Sequence, residues 1–142
     1  MTDGIASTTA ATLDQAYDEA MAMLVEARDF AKNHKHDMDN LEADERLRMS
    51  QYTMQVTARL TQVMAWLMAS KAVANGELST ADLNRDYGLP QDGALPGADP
   101  EMLEREKADR DVTPNRLADL MDRSRNLYQR IARLDQQTRA AS

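Results

Sequence analysis

Between Asn40 and Asn75 the chain has no glycine and no proline, and Gly76 follows directly. Roughly 35 residues without a breaker span about 50 Å as one α-helix, and a helix of that length sets the scale of the molecule. An Asn40 cap can open it, with Glu42, Asp44 and Glu45 near the positive end of the dipole, and Gly76 supplies a left-handed stop. One apolar stripe along it is Met49, Val56, Leu60, Val63 and Leu67. A second, rotated stripe is Leu47, Met54, Thr61, Met64 and Met68, with Ala65 and Ala72 nearby. A helix apolar on two sides must cover both, and two shorter helices of the same chain do so only in part. The excess predicts a homodimer whose seam uses this helix, with Met64, Leu67 and Met68 as seam candidates. Trp66, the only tryptophan, sits among Val63, Leu67 and Met68 and is expected to anchor the core or the same seam. The methionines of this helix read as gap-filling core residues or, alternatively, as an adaptable groove that repacks around partners.

Two further helices flank it, over about 12–35 and 114–138, against about 41–75 for the long one. Thr12-Leu13-Asp14-Gln15 fits a capping box, and Leu13, Tyr17, Ala20, Leu24, Ala27 and Ala31 then recur at steps of four and three on one stripe. Thr113-Pro114 is a start signal, a hydroxyl cap followed by a proline whose missing N–H is harmless there. Leu117, Leu120, Ser124, Leu127, Ile131, Leu134 and Thr138 keep the same spacing, while Arg116, Arg123 and Arg130 recur every seven residues on an outer face. The fold class is therefore all-α, an antiparallel three-helix bundle in a single domain over 1–142. Between helices two and three, Ser79 can cap a short helix ending at Tyr87-Gly88. After it, prolines, glycines and dense charge predict an irregular, mobile segment over about 88–112, within which Glu101 to Asp109 can form a charged, loosely held helical turn.

The net charge of -7 is unevenly spread. Residues 1–45 carry -8, 46–78 carry +3, 79–112 carry -5 and 113–142 carry +3. This alternation favours antiparallel docking of oppositely charged segments and leaves an acidic loop. Most of it reads as solvated helix faces. The arginine face, Arg116, Arg123 and Arg130 with Arg133, is expected to meet either an acidic partner surface or the acidic loop of the same chain. The bland alternative is a solvated face with local pairs such as Asp119 with Arg123. Net acidity argues against nucleic-acid backbone binding, which draws its affinity from Lys and Arg. Residues Glu77 to Leu89 faintly resemble the first half of a helix-turn-helix, but a Pro/Gly-rich acidic segment stands where a recognition helix belongs.

Chemistry is sparse. There is no cysteine, so no disulfide, thiol nucleophile or thiolate metal cage. His34 and His36 point to different sides of a helix, and Ala31 and Asn33 occupy the places where a di-iron Glu-x-x-His pair needs glutamates. No catalytic residue, metal ligand or cofactor site is expected. The most apolar region, Val63 to Ala69, falls well short of the ~20 residues of a membrane span, and the expected compartment is the cytoplasm.

Arg46-Leu47-Arg48-Met49-Ser50, the run Val56-Thr57-Ala58-Arg59-Leu60-Thr61-Gln62-Val63-Met64-Ala65-Trp66-Leu67, then Lys71-Ala72-Val73 and Gly76-Glu77 are similar to the signature of the RcdA family of alphaproteobacteria. Tyr17-Asp18-Glu19-Ala20 and Leu24-Val25-Glu26-Ala27-Arg28 resemble that family's first helix. The likeness covers about residues 12–78 well and the third helix by pattern. It implies a dimeric three-helix-bundle regulator without enzymatic activity. It further implies an adaptor in regulated proteolysis that helps deliver the cell-cycle transcription regulator CtrA to the ClpXP protease, together with a response regulator and a cyclic-di-GMP-binding protein. The family's C-terminal tail, used in partner contacts, has little counterpart here, since the third predicted helix runs to about Thr138 and the sequence ends at Ser142. A structural or scaffolding dimer without a delivery role is the alternative reading.

Overall fold

The glycine-free stretch folds as one helix, Ala43–Ala74, and its ends follow from local chemistry. At its start Glu42, not Asn40, is the cap: Glu42 accepts from the backbone of Glu45, while the Glu45 carboxylate accepts from the Glu42 amide at 2.8 Å. At its end Gly76 takes a φ of 77°. The Glu77 amide donates to the Ala72 carbonyl at 2.8 Å and the Gly76 amide to Val73 at 3.1 Å, the bond pair of a Schellman stop.

The computed structural model describes residues 2–89 and 100–141, the side chains of 2–9 and 141 excepted. Its helices are α1 (Thr2–Asn33), α2 (Ala43–Ala74), α3 (Thr80–Asp86), α4 (Pro100–Ala108) and α5 (Asn115–Ala141), with a 3-10 turn at His36–Met38. The helix expected to open at Thr12 begins ten residues earlier, at Thr2. Nothing between Ile5 and Thr12 breaks a helix, so the Thr12 capping pattern lies inside one rather than starting it. The polar run after α1 hides a plug: Met38 is buried and its amide bonds back to His34. Ser79 caps α3 as expected, its hydroxyl accepting from the Asp82 amide at 3.0 Å. Thr113 does not cap α5, because its hydroxyl donates to the Asp109 carbonyl at 2.8 Å, and the helix opens one residue beyond Pro114.

Helices α1, α2 and α5 pack mutually as the bundle, around Met23, Phe30, Tyr52, Leu60, Leu67, Leu117, Leu127 and Ile131. The directions correct the expected antiparallel arrangement. Lys71 near the end of α2 pairs with Asp14 in the first half of α1, and Arg123 and Arg130 of α5 pair with Glu26 and Glu19 of α1. Thus α1 runs against both partners. Arg59 and Trp66 of α2 meet Ser124 and Asp135 of α5 in ascending order, so α2 and α5 are parallel. Two parallel helices in sequence require the chain to travel back along the first. The 32 residues of α2 rise about 48 Å, and the long connection is the return path. Acidic α1 lies against both basic helices, so charge alternation is obeyed while strict antiparallel order is not.

The segment expected to be irregular divides. Residues 90–99 lie outside the described residues. Residues 100–108 form α4 where a loosely held helical turn was expected, and Glu106 within it and Asp109 just beyond it are buried.

Candidate protein-interaction surface

Three sides of α2 are covered by its own chain. Met49, Tyr52, Val56, Leu60, Val63 and Leu67 face the core at 0% exposure. Met64 stands four residues after Leu60 and three before Leu67, so it joins that face, and it is buried. A further row at seven-residue spacing, Tyr52, Arg59 and Trp66, turns polar tips toward α4 and α5. The Trp66 indole N–H donates to Asp135 at 3.0 Å, and Asp135, fully buried, also accepts the Leu89 amide at 3.0 Å and pairs with Arg139. Among the seam candidates on α2, therefore, Met64, Trp66 and Leu67 are enclosed by the chain itself. Trp66 thereby takes the core place that was one of its two expected ones, and within a single chain Met64 and Leu67 are both buried.

The fourth side is open. Leu47, Met54 and Met68 are 62%, 69% and 58% exposed, and Thr61 completes the heptad row with them. Ala58 is exposed, and Ala65 and Ala72 are half-buried beside the row. Arg59 is the only charged residue of α2 between Arg48 and Lys71, and it is entirely buried. The outer face of α2 is consequently free of charge over 22 residues, about 33 Å of helix, in a chain that is 29% charged. Its exposed members carry no charge: Ser50, Gln51, Met54, Thr57, Ala58, Thr61 and Met68.

The arginine face of α5 is occupied from within. Arg123 bonds both oxygens of Glu26 and also Asp119, Arg130 bonds Glu19, and the Arg116 guanidinium sits 5.9 Å from the Phe30 ring centroid. Arg133 is exposed. The acidic surface that Arg123 and Arg130 meet is α1 of the same chain, not the acidic loop.

Sequence reasoning missed a buried polar cluster under α4. Arg125 holds both oxygens of Glu106 at 2.8 and 3.0 Å, and Arg59 stands 3.8 Å from the same carboxylate while donating to Ser124 at 3.3 Å. Arg48 grips Asp109 with two bonds of 2.8 and 3.0 Å, and the Tyr52 hydroxyl donates to Asp109 at 2.6 Å. The Arg48 bond is the main force holding the Asp109 carboxyl below the usual carboxylate range; burial opposes it and Tyr52 adds to it. Burial, then the Arg125 charge, pushes the Arg59 guanidinium down to about 10, still cationic at neutral pH. The available signals were the heptad row Tyr52, Arg59, Trp66 and the i, i+3 spacing of Glu106 and Asp109 on one helical face. Among the described residues no group of three His, Asp or Glu could hold a metal ion, and no helix is long and apolar enough to cross a membrane.

Comparison with known proteins agrees with this architecture. The crystal structure of RcdA from Caulobacter crescentus CB15 superposes with a TM-score of 0.64 at 25% sequence identity, covering 89% of each chain. No curated protein matches the chain. The model of a family described as proteins of unknown function, DUF1465, matches residues 5–142, and the chain belongs to that family.

Proposed function

We propose that the chain is a non-enzymatic protein-interaction module, a homodimer joined through the outer face of α2, that helps present a transcription regulator to the ClpXP protease. The delivery role is the one the RcdA resemblance implies. The observation that carries the reading is the charge-free face from Leu47 to Met68. Two copies of a chain with net charge -7 can bring neutral faces together without placing like charges in contact. The heptad row also suits itself. In an antiparallel pair with its two-fold axis between Thr57 and Ala58, Leu47 lies opposite Met68 and Met54 opposite Thr61, with small residues at the crossing point. The buried polar groups support a non-catalytic interior, since Arg59, Glu106, Asp109, Thr113, Ser124 and Asp135 are each engaged by groups of the same chain.

The test is reconstituted proteolysis: degradation of a response-regulator-type transcription factor by ClpXP, with and without this chain. Delivery requires faster degradation with the wild type and loss of that gain with Met54→Glu/Met68→Glu. An unchanged rate, with neither protease nor cargo captured on the immobilised chain, refutes it and leaves a scaffolding dimer.

A further inference from the structure

The grip on α4 differs in kind from the packing of the bundle. Of its nine residues only Met102 and Leu103 add partly buried apolar surface, while Glu101, Glu104, Arg105, Lys107 and Ala108 are exposed. What reaches inside is carboxylate: Glu106 toward Arg59 and Arg125, and Asp109 toward Arg48 and Tyr52. Burying ions carries a desolvation penalty that nearly offsets their attraction, so a helix held this way is docked by a small free-energy difference. The receiving side is built without it. Arg48, Arg59 and Tyr52 belong to α2, and Arg125 and Ser124 to α5, so the three guanidiniums and two hydroxyls of the socket are all supplied by the bundle and none by α4. Arg48 also pairs with Asp44 at 3.4 Å, so with α4 docked three cations face three carboxylates, and with α4 displaced only Asp44 remains against them. Arg125 Nε, also buried, has no hydrogen-bond partner among the described residues. A hollow of about 300 Å³ between α4 and α5, lined by Leu103, Glu106, Lys107, Arg110, Asp122 and Arg125, adjoins it.

We propose that this arginine socket is a binding site for an acidic helix of a partner protein carrying the pattern Glu-x-x-Asp, and that α4 is the occupant such a helix displaces. Glu106 and Asp109 define the ligand: two carboxylates three residues apart, on one helical face, Asp109 gripped bidentately through Arg48 Nε and Nη2 and both oxygens of Glu106 bonded to Nη2 of Arg125. Arg48 and Arg59 lie on a different side of α2 from Leu47, Met54 and Met68, so socket and dimer face are independent and either can fail alone.

The experiment uses the full chain with Glu106→Gln/Asp109→Asn, which removes the carboxylate charges of the occupant and leaves those of the arginines, and a fluorescent synthetic peptide of residues 100–113. By anisotropy at low ionic strength the peptide should bind the double variant about tenfold or more tightly than the wild type, whose sites are mostly self-occupied. The affinity should fall with added salt. A peptide carrying the same two substitutions should bind neither protein. Equal binding of both peptides to both proteins overturns the proposal, and so does displacement by a DNA duplex at matched charge, which would mark a plain phosphate site. Hydrogen exchange on the wild type decides the case even if the variant unfolds. The amides of α4 should exchange about tenfold or more faster than those of α2 and α5, and protection equal to theirs means that α4 opens only with the whole fold.

Discussion

At the scale of single residues the molecule depends on a few carboxylates that replace water for buried donors. Asp135 is the clearest case. Its oxygens meet an indole N–H from α2, the Leu89 amide and, from the next turn of α5, Arg139. The Arg139 guanidinium lies so close over Gly88 that a Cβ there would stand 2.0 Å from Nη2 and 2.7 Å from the Asn84 carbonyl. Asp135→Ala leaves two buried donors unmet, each a loss of about 1–3 kcal/mol. Urea unfolding followed by Trp66 emission should register that loss, together with a shifted native spectrum; a loss under about 0.5 kcal/mol contradicts the clasp. Asp109 sets the behaviour in acid. Arg48 and Tyr52 depress its pKa in the folded state, so its stabilisation is present above the unfolded carboxylate value and disappears as pH falls through the lower, folded one. The wild type should therefore lose stability below about pH 4, and Asp109→Asn should flatten that slope while lowering stability at neutral pH. An unchanged slope would mean that another group dominates.

At the scale of elements, Gly76 gives the most direct check. Its φ of 77° sits in the left-handed region, yet a Cβ there meets nothing within 4 Å. Gly76→Ala should therefore lose only the backbone preference, about 1–2 kcal/mol by thermal or urea unfolding. A larger loss would point to crowding that the geometry denies. The α2 stop was legible in the sequence because it is local: a glycine after a periodic run is sufficient. The same holds for the Ser79 cap and for the core stripe of α2. What the sequence could not assign was the side that each remaining row faces. Helical period tells that Tyr52, Arg59 and Trp66 share a side, but their partners Asp109, Ser124 and Asp135 lie 57, 65 and 69 residues away. A row of long polar-tipped side chains among apolar ones signals buried pairing without naming the pair. The α5 arginines illustrate the converse. Their stripe was evident and its occupant was not, because acidic side chains on α1 and in the loop look alike in sequence. Arg123 and Arg130 pair with Glu26 and Glu19 at half-exposed positions, so Arg116→Gln/Arg123→Gln/Arg130→Gln should shift stability little, about 0–1 kcal/mol per pair. Calorimetry showing a much larger loss would mean that these pairs are far less screened than their exposure implies.

At the scale of the whole molecule, direction was the hidden variable. Apolar stripes carry no arrowhead, and α5 fits α2 equally well by pattern whether it runs parallel or antiparallel; only the ascending contacts Arg59–Ser124 and Trp66–Asp135 decide it. Parallel order in turn explains why the connection is long and why α4 sits against the first half of α2. With α1 and α5 covering its other sides and α4 beside Arg48 and Tyr52, the outer face of α2 is the one that the described residues leave open for a second copy. That assignment fixes how self-association should respond to salt. The face itself has no charge, while each chain carries -7 overall, so the long-range force between copies is repulsive and is screened as ionic strength rises. Dimerisation should thus hold or strengthen in salt, the opposite of the arginine socket, whose ion pairs weaken. Met54→Glu and Met68→Glu place a carboxylate at the seam of two already acidic chains, and sedimentation velocity should then find monomers with unchanged helical content. A wild type that sediments as a monomer at micromolar concentrations, or a dimer that dissociates as salt is added, would place the contact on a charged surface instead of the outer face of α2.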